Sequence, residues 1–154
     1  MEEMALSICT FLASNYPLPE AAPEREYPIH IDIDKGTVFD GDADDNFFLR
    51  AFPDLDLYSG MRYGAALEWV YYTRGRAERI LACIRQVLEH TDSVELWLVW
   101  LGSFREYDER PRIHRYHASI GELTPEDIGE FTEKPIWNSR EDLRPNFHCL
   151  TIRP

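Results

Sequence analysis

The stretch from residue 63 to 102 constrains the fold most. "YGAALEWVYY" (63–72) is apolar and aromatic and predicts a strand. In the next segment Ala77, Ile80, Leu81, Ile84, Val87 and Leu88 recur at i, i+3, i+4 and i+7 spacing. That is one apolar stripe on a helix over 74–90, with Thr73 as its N-cap. Arg74, Arg76, Arg79 and Arg85 are expected on its polar sides, with Glu78 and Glu89. "VELWLVWLG" (94–102) is apolar on both faces, as a central, doubly covered strand must be. Strand, helix, strand is thus the expected seed of the architecture.

The flanks add strands. Leu6–Ala13 is the expected first strand, and the four prolines of 14–28 make an irregular connection. "IHIDI" alternates, so Ile29, Ile31 and Ile33 should share one buried face, with His30, Asp32 and Asp34 on the other. "DKGT" and "TVF" complete a hairpin. "NFFLRAF" reads as a strand and "PDLDLYSG" as a loop. "RIHRYHASI" (112–120) is a strand with Tyr116, Ala118 and Ile120 inward. "LTPEDIGEF" starts a short helix, with Thr124 as N-cap, Pro125 at N1 and acids behind it. "FHCLTI" is the last strand. The expected class is α+β: a single domain over 1–154, with a mixed or mainly antiparallel sheet of about six to eight strands, one long helix and one short.

A chain of 154 residues suits one domain with a core of its own. Its 28 acidic and 16 basic residues leave a formal charge of −12. Such a field repels nucleic acids and anionic membranes and attracts basic partners. Neither nucleic acid nor membrane is an expected partner. Cys9, Cys83 and Cys149 form no Cys-x-x-Cys pair, and small buried thiols in a reducing compartment are expected. "MEE" before "MALSICTFLA" is acidic where a secretory leader is basic, and no apolar run spans a bilayer, so a cytoplasmic location is expected.

"IHIDIDKGTVFDGDADDNFF" invites a metal reading. Asp40, Asp42 and Asp44 match the first three ligand positions of a calcium loop. Asp45 stands where that loop needs glycine, and Ala51 where it needs a bidentate glutamate. His114 and His117, three apart on a strand, point to opposite faces and cannot chelate together. No cofactor or metal is expected. The chain contains no G-x-S-x-G, Walker A or G-x-G-x-x-G motif. His30 with Asp32, neighbours on one strand face, is the remaining acid–base pair.

Charge is the stronger signal. From His30 to Asp56 there are eight aspartates against Lys35 and Arg50. Asp32, Asp34, Asp40, Asp42, Asp44, Asp45, Asp54 and Asp56 are the expected steering charges, with Phe47 and Tyr58 as aromatic anchors. Tyr27, Phe48 and Phe52 interleave with them. Arg105, Arg110, Arg112 and Arg115 cluster with Glu106, Asp108 and Glu109, which suggests local ion pairing.

"VELWLVWLG" behind an amphipathic helix, followed by "IGELTPEDI", resembles small bacterial immunity proteins of polymorphic-toxin and contact-dependent inhibition systems, over roughly residues 63–131. The resemblance implies a non-enzymatic antidote that binds one cognate protein toxin and blocks its active site. Many such toxins are basic nucleases, for which an acidic face is a decoy. These families share no universal binding residues, so none is carried over. Two alternatives stand beside it: an enzyme of unfamiliar type using His30 and Asp32, and a homodimeric scaffold whose aromatic-rich strands pair.

Overall fold

The computed structural model describes residues 8–23, 30–39, 47–69, 71–101, 110–139, 141–142 and 144–154. These form eight strands and two helices: β1 Ile8–Ser14, β2 His30–Asp32, β3 Thr37–Phe39, β4 Phe47–Ala51, β5 Tyr63–Trp69, α1 Arg74–Val87, β6 Val94–Trp100, β7 Arg112–Ser119, α2 Pro125–Thr132 and β8 Asn146–Arg153. Short 3-10 turns cover Leu55–Leu57 and Ile120–Glu122. The class is the expected α+β, with a mixed six-stranded sheet ordered β4-β5-β1-β6-β8-β7 and the separate hairpin β2-β3.

The strand–helix–strand seed is present but split. β5 and β6 are not neighbours, because β1 lies between them and runs antiparallel to both. A second crossover, β7 to β8 through α2, joins adjacent parallel strands. All other pairs in the sheet are antiparallel.

Both helices begin as their sequences dictate. The Thr73 hydroxyl accepts the Arg76 N–H at 3.1 Å. Thr124 and Asp127 exchange side-chain and backbone bonds in a full capping box, with Pro125 in the first turn. Each cap stabilises its helix by about 1 kcal/mol. The stripe Ala77, Ile80, Leu81, Ile84 and Val87 is buried against Leu12, Leu67, Leu96 and Leu98 of the sheet, together with Ile128 and Phe131 of α2. Fully burying side chains of this kind contributes about 1.5–3 kcal/mol each.

The other sheet face carries a smaller core. Phe11, Ala13, Trp97, Val99, Phe147 and Cys149 meet Phe52 and Leu55, which the segment after β4 folds over them. Phe11 stacks on Phe52 at 4.4 Å and on Trp97 at 5.9 Å between ring centroids. β6 is therefore covered on both faces, which accounts for its apolar run from Leu96 to Trp100.

Two local expectations are overturned. Arg76 is fully buried, not on a polar side. Its guanidinium donates to the Tyr71 carbonyl at 2.8 Å and lies 4.8 Å from the Tyr71 ring centroid, which supplies hydrogen bonding and a π face in place of water. Ile31 and Ile33 are 69% and 88% exposed. Alternation puts side chains on a common side; it does not supply a layer to cover them. The hairpin itself forms as expected, and Gly36 (φ 66°) takes the left-handed turn position that favours glycine.

Candidate functional site

The acidic candidates lie on separate elements. Asp32 ends β2, and its Oδ1 accepts the Lys35 N–H at 3.1 Å, so the carboxylate closes the hairpin turn. Asp34 sits in that turn and is exposed. Asp54 and Asp56 flank and enter the Leu55–Leu57 turn, and both are exposed. Asp40, Asp42, Asp44 and Asp45 lie outside the described residues, as do the Arg105 loop and the side chain of His30.

Phe47 is not an anchor. It is 7% exposed and packed in the helix-side core, because β4 points Phe47 and Leu49 inward together. Phe52 is likewise buried. Phe48 lies on the other face of β4, with the Arg50 guanidinium 4.2 Å from its ring centroid.

Tyr58 does sit at a site. Its ring packs at 5.6 Å from Phe11 and 5.7 Å from Phe147, and its hydroxyl donates to the Trp100 carbonyl at 3.4 Å. Burial, helped by the nearby Cys9 and Asp54, pushes its pKa up to about 12. The phenol is thus neutral at physiological pH. Leu57, Tyr58, Trp97, Arg110, Pro111, Ile113 and Phe147 line a cavity of about 400 Å³. Leu57 is 57% exposed and Ile113 47%, so two aliphatic side chains stand at the mouth of an aromatic-floored hollow.

The floor is pinned by one carboxylate. Glu95 Oε1 accepts the Trp97 indole N–H at 2.8 Å and the Ser59 hydroxyl at 2.6 Å. The Ser59 oxygen in turn accepts the Met61 N–H at 3.1 Å. The segment carrying Asp54, Asp56, Leu57 and Tyr58 is tied to the sheet through these bonds. Charge-assisted bonds of this type are the strong ones.

A polar chain runs along the helix side of β7 and β8. His148 Nε2 lies 3.0 Å from the Pro135 carbonyl, and Nδ1 lies 3.1 Å from the Tyr116 hydroxyl. A carbonyl only accepts, so Nε2 carries the proton and the Tyr116 hydroxyl donates to Nδ1. Burial lowers the His148 pKa, and nearby His114 and Lys134 lower it further against the opposing pull of the Pro135 bond. His114 Nε2 bonds Asn146 Oδ1 at 2.9 Å, and Asn146 donates to Asn138 Oδ1 at 2.8 Å. The Arg112 guanidinium pairs with Asp142 at 3.1 Å and 3.2 Å. That bond and the Asn138 N–H hold the Asp142 pKa down at about 2.

The partners expected for the arginine cluster, Glu106, Asp108 and Glu109, lie outside the described residues; Arg112 pairs instead with Asp142, thirty residues onward. Among the described residues no three His, Cys, Asp or Glu side chains are grouped to hold a metal ion. No helix among them is long and apolar enough to cross a membrane. The three cysteines are unpaired, and burial is the main cause that raises Cys9 to about 12, Cys83 to about 11 and Cys149 to about 12.

Sequence reasoning did not place Leu57, Trp97, Ile113 and Phe147 together. One signal was available: Leu57 is a large apolar residue directly after Asp56 in a loop, where nothing local requires it. Compared with known proteins, the chain matches no family model, no curated protein and no solved structure.

Proposed function

We propose that the chain is a non-catalytic binding protein of the immunity type, which captures a basic protein toxin. The supporting observation is the hollow between Leu57 and Ile113. Its mouth is aliphatic, its floor is Trp97, Phe147 and Tyr58, and the adjoining turn exposes Asp54 and Asp56. Desolvated aromatic pockets beside charged rims are where binding energy concentrates in protein interfaces. Arg110 and Pro111 also line the hollow, so the acidic character comes from the adjoining Asp54–Asp56 turn. The net charge of −12 steers a basic partner from a distance. The likeness of residues 63–131 to immunity proteins supplies the biological setting.

The test uses the protein encoded beside this chain's gene, with growth of cells producing both as the functional readout. Binding is expected to protect growth. Leu57→Asp should weaken the complex roughly tenfold or more. Asp54→Asn with Asp56→Asn should slow association, most at low salt, and leave dissociation nearly unchanged. Lack of binding, or binding indifferent to both the Leu57 variant and the Asp54–Asp56 double variant, would overturn the proposal.

A further inference from the structure

The chain has a second surface, on the helix side of the sheet, along β7, the strand that also lends Ile113 to the hollow described above. β7 ends the sheet order. Arg112 N donates to Pro145 O at 2.8 Å, one residue before its register partner Asn146. In a parallel ladder this turns the backbone groups of Arg112, His114, Tyr116 and Ala118 towards β8. The N–H and C=O groups of Ile113, Arg115 and His117 therefore point outward. Among the described residues no hydrogen bond meets them.

A groove of about 430 Å³ runs beside that edge, between β7 and α2. Tyr116, Leu123, Phe131 and Leu150 make apolar walls, while Glu122, Asp127, Glu130 and Lys134 stand around it. Three carboxylates against one ammonium make the groove acidic. Glu122 and Asp127 each accept one backbone N–H in a capping role and keep further lone pairs; Glu130 is exposed. The opposite face of β7 has the other sign, since Arg115 and His117 project there and both are exposed.

We propose that β7 accepts an extended peptide segment of a partner as an added strand, in which basic side chains alternate with acidic ones. The basic residues enter the groove along β7, their methylene stems on Tyr116, Phe131 and Leu150 and their heads at Glu130 and its neighbours. The acidic residues fall on the other face, beside Arg115 and His117. Strand addition supplies affinity through the backbone, and alternate pockets supply selectivity. Charge decides the occupant: a wholly basic segment would set cations against Arg115, and a wholly acidic one would set carboxylates against Glu130.

The probe is an acetylated, amidated octapeptide alternating arginine and glutamate, titrated into the isotopically labelled full chain. The amides of Ile113, Arg115 and His117 should become protected from exchange, and the resonances of Tyr116, Phe131 and Leu150 should shift. N-methylating one alternate set of peptide residues should abolish binding, and N-methylating the other set should leave it. Glu130→Gln should weaken binding and Lys134→Gln should strengthen it, each by roughly fivefold or less, as suits exposed charge pairs. His117→Pro should block binding while sparing the β8 ladder, since its N–H points away from the sheet; the Glu130 variant carries the test if that protein does not fold. Three results would each overturn the proposal: no binding at millimolar peptide, binding indifferent to N-methylation, or an edge already occupied by a second copy in sedimentation.

Discussion

The imidazoles of His114 and His148 stack across the β7–β8 pair, centroids 5.1 Å apart and planes 20° from parallel. The two residues are register partners, thirty-four positions apart in the chain. His148 is 5% exposed and uses both ring nitrogens, one as donor to Pro135 O and one as acceptor from Tyr116. A second proton on His148 would convert that acceptor into a donor and place a charge against His114 and Lys134.

Acid should therefore weaken the fold through His148. Its pKa is lowered from 6.5 in the folded state, chiefly by burial. The unfolded chain then binds more protons, so the contribution of His148 to stability is present above about pH 6.5 and is lost as pH falls towards the folded pKa. Urea unfolding at pH 7.5 and 5.5 should show the decline. His148→Gln should cost about 1–3 kcal/mol at neutral pH through the unsatisfied groups it leaves, and should flatten the dependence across that interval. A variant that keeps the full wild-type slope would assign the decline to other groups.

Gly129 sets the approach of α2 to the residues preceding α1. A Cβ there would lie 2.9 Å from Cδ1 and Cε1 of the Tyr72 ring. Gly129→Ala gains helix propensity but must displace that ring, and the clash should dominate, destabilising by about 1–3 kcal/mol. Combining it with Tyr72→Ala should cost less than the sum of the two single changes. Strict additivity in thermal or urea melts would exclude the clash as the cause.

Ser59 should control the order of the loop that forms the hollow. Ser59→Ala removes one of two donors to Glu95 Oε1 and the acceptor for the Met61 N–H. A loss of about 1.5–3 kcal/mol is expected for a hydrogen bond to a charged group. Amide exchange should accelerate at 55–61 more than in β6. Uniform acceleration over the whole chain would instead indicate a global effect.

The three thiols should be slow nucleophiles in the folded protein. With pKa values of about 11 to 12 their thiolate fraction at pH 8 is very small. An aromatic disulfide reagent should react slowly with the native chain and rapidly, at all three cysteines, once denaturant is added. A fast native phase at pH 8 would show that one thiol is exposed and activated.

Much of the element content was legible locally. Thr73 and Thr124 announce their helices, the stripe of α1 faces the sheet as its spacing requires, and "TVF" returns from a glycine turn as expected. The site was less legible. Asp54, Asp56 and Tyr58 adjoin the hollow, but Phe47 belongs to the core, and Ile113 reaches the hollow from a strand far along the chain. Charge runs reveal that a segment is acidic; they do not say which apolar side chains will surface beside it.

By itself the sequence determined which segments are strands and which are helices, because period and capping are properties of neighbouring residues. It also determined that β6 would be covered on both faces. Only the tertiary structure decided that β1 separates β5 from β6, that Arg76 is buried under Tyr71, and that His114 meets His148. Those outcomes depend on which distant strand completes each ladder. Local periodicity states that a face must be covered and is silent on what covers it.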